Sequence, residues 1–145
     1  MAARQGAEVK IDAMQSALAA EHAAIYVLGV CAAQTSFSAQ RPLWRRLDQA
    51  VLVHQQQRDY LADEIRRAGA DPVAAAPAYE VPARLDKPRQ VLAEARRIEA
   101  ACATNYSALV AASEGDLRRW AMAALAQAAV RQLWFKGEAQ DFPGR

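Results

Sequence analysis

The sequence predicts an all-α protein, a four-helix bundle of up-down-down-up topology, and three observations carry that expectation. Apolar residues recur three and four positions apart through four long segments, which is the spacing of one buried helix face. Alanine, the strongest intrinsic helix former, makes up roughly a quarter of the chain. The connections on either side of the middle are short, whereas the one between the second and third segments, Ala70 to Lys87, is long, Pro-rich and aperiodic. Extended at roughly 3.3 Å per residue, such a crossover can travel the roughly 40 Å length of a helix and return the chain to the opposite end. The second and third helices then run parallel and the outer two pair antiparallel with them.

Helix 1 is expected from about Ala7 to Gln34, with the inner seam Met14, Leu18, Glu21, Ile25, Leu28 and Ala32. Pro42 suits the first turn of helix 2, where a missing N–H costs nothing, and Gly69 is its stop. The seam between them reads Leu47, Val51, His54, Arg58, Leu61, Ile65. Helix 3 begins near Pro88 and turns Leu92, Ala95, Glu99, Cys102, Tyr106 and Leu109 inward. Gly115 breaks the chain, Asp116 is the candidate N-cap of helix 4, and that helix runs to about Lys136 before Gly137. Asp141 to Arg145 is expected to be a short docked or frayed end.

The 145 residues suit one domain, 1–145, with enough chain to bury a sizeable core. A net charge of +2 implies no strong field for nucleic acid or lipid headgroups. Four Arg doublets (Arg45/Arg46, Arg66/Arg67, Arg96/Arg97, Arg118/Arg119) lie close to Asp48, Asp63, Glu64, Glu94 and Asp116, a pattern of salt-bridged, solvated faces. Met1 to Lys10 has no apolar core of the signal-peptide kind, and the longest apolar runs, Ala23 to Ala33 and Trp120 to Ala126, are too short to span a bilayer. Neither a nucleic-acid nor a membrane partner is expected. Cys31 and Cys102 have neither metal-ligand spacing nor disulfide-scaffold density, so a cytoplasmic location is the expectation. On opposed helices the two thiols fall roughly 20 Å apart, beyond the roughly 7 Å Cα limit for a disulfide. No nucleophile elbow, phosphate loop or Cys-His pairing is present.

Four charged or titratable residues interrupt the seams: Glu21, His54, Arg58 and Glu99. Counted from the shared end of the bundle at 1.5 Å per residue, Glu21, His54 and Glu99 fall in one layer, roughly 17 to 20 Å deep, with Arg58 a turn further. Buried carboxylates must pair, bind a cation or admit water, so these residues are expected to form one buried polar cluster. His22 points about 100° away from Glu21 and is expected to be partly exposed. Tyr79 is expected to anchor the crossover, and Tyr106 to be a core tyrosine with a satisfied hydroxyl. Trp44, Trp120, Trp134 and Phe135 suggest an aromatic partner face.

The segments Leu18-Ala-Ala-Glu21-His22-Ala-Ala-Ile-Tyr26, His54-Gln-Gln-Gln-Arg58-Asp59, Gly69-Ala-Asp-Pro72, Pro77-Ala-Tyr79, Glu99 to Tyr106 and Phe142-Pro-Gly144 together cover nearly the whole chain. With them the sequence resembles an alanine-rich, ferritin-like domain family of unknown function. The wider superfamily implies a di-iron centre built from one Glu on each of two helices and a Glu-x-x-His pair on each of the other two. Glu21, His54 and Glu99 stand at matching positions. Val51 stands where a Glu is required, and Leu117 to Lys136 contains neither Glu nor His, offering Ala124, Gln127, Ala128 and Arg131 at the matching height. Arg58 is expected to sit between the carboxylates in place of a metal.

The expected function is therefore non-catalytic: a homo-oligomeric structural or interaction protein, a homodimer through helix 1 or helix 4, with no cofactor and no identifiable small-molecule ligand. The alternative is a metal-binding protein or oxidoreductase that holds iron or manganese with Glu21, His54 and Glu99.

Overall fold

The structure, a computed structural model, describes residues 1–137 and 143–144. Among these residues it contains four helices and no strand: α1 (Ala2–Ala33), α2 (Arg41–Arg67), α3 (Pro88–Ala112) and α4 (Gly115–Trp134). Pro42 and Pro88 occupy the first turns of α2 and α3, where their missing N–H groups leave no intrahelical bond unmade. Gly69 closes α2 with a left-handed φ of 82°, while the N–H of Ala70 reaches back to Ile65 O at 3.1 Å.

The other ends differ from expectation. α1 begins at Ala2, because its exposed first turn has residues of good helix propensity and nothing to stop it. Glu114, not Asp116, is the N-cap of α4; Asp116 lies within the first turn and pairs with Arg119. At the far end Lys136 takes the left-handed turn with φ 65°. Gly137 follows, its N–H 2.7 Å from Gln132 O, and a Cβ there would stand equally close to that oxygen. Arg46 from α2 and Arg96 from α3 donate to the carbonyls of Trp134 and Phe135 at 2.9 and 2.7 Å, neutralising the negative end of α4.

α1 packs along both α2 and α3, and α3 packs along α4, whereas α2 and α4 touch at few points. The crossover lies along α1. The Gln15 amide donates to Asp71 O at 2.6 Å and accepts from the Val73 N–H at 2.8 Å. His22 Nε2 bonds Val73 O at 3.0 Å, and Tyr79 packs on Tyr26 with ring centroids 5.5 Å apart. Leu85 to Pro88 then meets Gln34 and Thr35, so α3 starts at the end of the bundle where α1 stops.

By length and composition alone, α1 is long and apolar enough to cross a membrane, which corrects the expectation drawn from its uninterrupted apolar runs. Its inward stripe, Met14, Leu18, Val27 and Leu28, is packed in the bundle core. Of the terminal segment Asp141–Arg145, only Pro143 and Gly144 are described; the Phe142 of the family-like motif lies outside the described residues. Gly144 rests on α3, where an added Cβ would stand 2.5 Å from Ala103 O.

Candidate functional site

Glu21, His54 and Glu99 are fully buried and meet in one layer. His54 lies between the carboxylates: Nδ1 is 2.5 Å from Glu21 Oε2, and Nε2 is 3.1 Å from Glu99 Oε1. Ionised carboxylates only accept hydrogen bonds, so the ring makes both contacts as a donor only when both nitrogens carry protons. Burial is the largest single influence on His54 and pushes its pKa down. The charges and hydrogen bonds of Glu21 and Glu99 together outweigh it and raise the pKa from 6.5 to about 9. The side chain is an imidazolium at neutral pH.

Arg58 does not enter this cluster. Its guanidinium turns to the flank of α2 and pairs with Asp59 at 2.8 Å, beside His22 and the crossover. The inward residue at that level is Gln57, one position earlier, which is a correction to the expected seam. A long cationic chain that can reach water does so, and the neutral amide is the less costly group to bury.

The second cation comes from α4. Arg131 is 3% exposed and donates from Nε to Glu99 Oε1 at 2.8 Å. Its position was within view in the sequence as one of several residues at the matching height; the cationic role had been given to Arg58. Tyr106 from α3 adds a hydroxyl that donates to Glu21 Oε1 at 2.5 Å, and burial with the adjacent Glu21 charge pushes its own pKa well above 10. The sequence places Tyr106 in the core with a satisfied hydroxyl but does not name Glu21 as its partner, because that contact joins α3 to α1 and depends on tertiary packing.

Two carboxylates thus face one imidazolium and one guanidinium, and the network is neutral. Cys102 lies against it, its Sγ 3.9 Å from Ala20 O; burial first, then Glu21 and Glu99, hold the thiol well above its ordinary pKa. Cys31 and Cys102 are both free and buried. Among the described residues, Glu99 Oε2, Arg131 Nη2 and Gln57 Oε1 are buried polar atoms without a protein partner. Gln57 reaches Gln127 through its Nε2 at 3.3 Å.

This donor set does not fit a di-iron centre. Val51 and all of α4 supply no Glu or His at the level of the cluster, both ring nitrogens of His54 are taken by carboxylates, and the Arg131 guanidinium already neutralises Glu99 through Oε1. One smaller grouping has the proximity for a single ion, on condition that the His54 ring gives up a proton: ligand atoms of Glu21, His54 and Cys102 lie within 4.8 Å of one another.

Among solved structures the chain is similar to a conserved hypothetical protein from Mycobacterium tuberculosis, with 26% identity, 90% of each chain covered and a TM-score of 0.82. It is also similar in fold to the bacterioferritin-related protein from Bacteroides fragilis, described as a dodecameric thioferritin, with 19% identity, 90% of this chain and 83% of the other covered, and a TM-score of 0.77. No curated protein matches. The fold is thus a ferritin-like four-helix bundle, and the chain belongs to the family described as domain of unknown function DUF4439, whose model matches residues 13–145.

Proposed function

We propose that this chain is a non-catalytic ferritin-like protein in which an internal charge network takes the place of a metal centre, and that it acts as a homo-oligomeric structural or interaction protein of the cytoplasm. The observation that carries the reading is the Arg131–Glu99 contact at 2.8 Å beside the His54 bridge. Protein cations already compensate both buried carboxylates, so folding has no need of a metal ion. Self-association is supported by large apolar side chains left on the surface, and by the dodecameric assembly described for the B. fragilis protein.

A second reading rests on the Glu21, His54 and Cys102 grouping, which offers oxygen, nitrogen and sulfur to one ion. In this reading Glu99 stays with Arg131, whereas the iron or manganese site expected from Glu21, His54 and Glu99 would require Arg131 to withdraw. The test is metal analysis of protein purified without chelator after growth with iron, manganese and zinc, together with thermal unfolding in and out of chelator. The proposal expects substoichiometric metal and superimposable melting curves. Stoichiometric metal that is lost on Glu21→Gln or His54→Gln, with a melting temperature that falls in chelator, would overturn it.

A further inference from the structure

The residues of α4 are distributed in the reverse of a solvent-facing helix. Its buried positions include Ala121, Ala124 and Ala128, whereas Met122, Val130 and Leu133 are 54, 48 and 45% exposed. Met122, Ala126, Val130 and Leu133 stand at i, i+4, i+8 and i+11, which places them on one stripe, the spacing of a helix–helix seam. Beside the stripe, across a cleft of about 360 Å³ between α2 and α4, lie Val53 and Gln56, and Leu52 on the same turn of α2 is 53% exposed. The expected aromatic face is not what the structure presents. Phe135 is buried, Trp120 stacks on Tyr60 with centroids 4.1 Å apart, and Trp44 meets Phe37 edge-on at 5.1 Å. Trp134 is half-buried and lines the same cleft, and the exposed large apolar side chains of α4 are Met122, Val130 and Leu133.

We infer that this face docks a second copy of the chain, α4 against α4 about a two-fold axis near Ala126. The inference rests on the self-association in the reading above and specifies its surface. Across a two-fold axis a residue on the axis meets its own copy, so a charge near Ala126 would meet its like. From Trp120 to Val130 there is no charged residue. The polar groups at the edge, Gln56 and Gln127, are amides that both donate and accept, so each can pair with an identical group. Antiparallel helices centred on Ala126 bring the exposed Asp116, which also holds Arg119 of its own chain, level with the exposed Lys136 of the other copy, an acidic and a basic group at each end of the seam. A strongly charged partner finds no counter-charge on this stripe. Gly144, near the end of the chain, rests on α3 at Ala103 and not on this stripe.

Two variants test the surface, with sedimentation equilibrium and light scattering across micromolar to millimolar concentrations. Met122→Glu with Val130→Glu places like charges across the axis at half-exposed positions; circular dichroism and the melting curve verify its fold. The expected result is a self-associating wild type whose dimer dissociation constant rises by at least about a hundredfold in this variant. Ala126→Cys, near the axis, should form a reducible intermolecular disulfide under mild oxidation, while Val73→Cys on the exposed crossover should not. The native thiols are buried and do not interfere. A wild type that stays monomeric throughout overturns both this inference and the self-association it rests on. A wild type that associates, with an unchanged constant in the charged variant and no Ala126→Cys cross-link, overturns the surface alone.

Discussion

Arg131 is the residue on which the buried network depends, because without it Glu99 keeps only a shared contact with His54. Arg131→Met should destabilise the fold by roughly 3 to 5 kcal/mol, the usual consequence of removing one partner of a buried pair. Adding Glu99→Met should recover much of that loss in urea unfolding, since less uncompensated charge remains. Arg58→Met should cost less than about 1 kcal/mol, because its pair with Asp59 is at the surface. His54 gives the network a pH signature. Its folded pKa of about 9 exceeds the ordinary 6.5, so the native state holds this proton more tightly. The resulting stabilisation, on the order of 3 kcal/mol, is complete below pH 6.5 and lost as pH rises through 9. Urea unfolding of the wild type from pH 6 to 10 should show that decline, and His54→Gln should flatten it. The thiols make a separate check: burial, followed by Glu94, pushes Cys31 up to about 12, and Cys102 is also held protonated. Neither should react with a thiol reagent at pH 8 until the protein unfolds.

At the scale of elements, the crossover is held by three side chains on one flank of α1. Gln15, His22 and Tyr26 reach Asp71, Val73 and Tyr79 in turn, which makes the Pro-rich segment a strap along the helix. Gln15→Ala removes two of its hydrogen bonds, at roughly 0.5 to 1.5 kcal/mol each, and should raise hydrogen exchange over residues 71–79 while leaving α3 protected. α4 carries the opposite lesson about size. Ala121, Ala124 and Ala128 let it lie close to α3, so Ala128→Leu should overpack the contact and lower stability by roughly 1 to 3 kcal/mol. Arg46 and Arg96 tie its last carbonyls to α2 and α3, so these two members of the Arg doublets bond backbone oxygens of α4 rather than acidic side chains.

For the whole molecule, the bundle is closed along three of its helix pairs and comparatively open between α2 and α4. The open side and the aliphatic stripe of α4 adjoin, so assembly and access to the cleft are linked: a second copy docked there would also cover Val53, Gln56 and Val130. If association stabilises the folded chain, the melting temperature should rise with protein concentration by mass action. The same titration of Met122→Glu with Val130→Glu should be flat.

The four helices, the long crossover and the inward placement of Glu21, His54 and Glu99 were legible in the sequence, because periodicity, proline and glycine act locally and a charge on an apolar seam is conspicuous. The register of each seam was less so. Ala24, Cys31 and Gln57 are more deeply buried than Ile25, Ala32 and Arg58, since an apolar stripe can take its three- and four-residue steps in more than one order. Which cation balances the carboxylates depended on that register and on the rotation of α4, where alanine on nearly every side gives no local signal of an inner face. The sequence alone therefore determined that a buried charge cluster must exist. Only tertiary packing decided that Arg131 rather than Arg58 completes it, because the choice turns on which guanidinium can reach water and which is carried into the core by its helix.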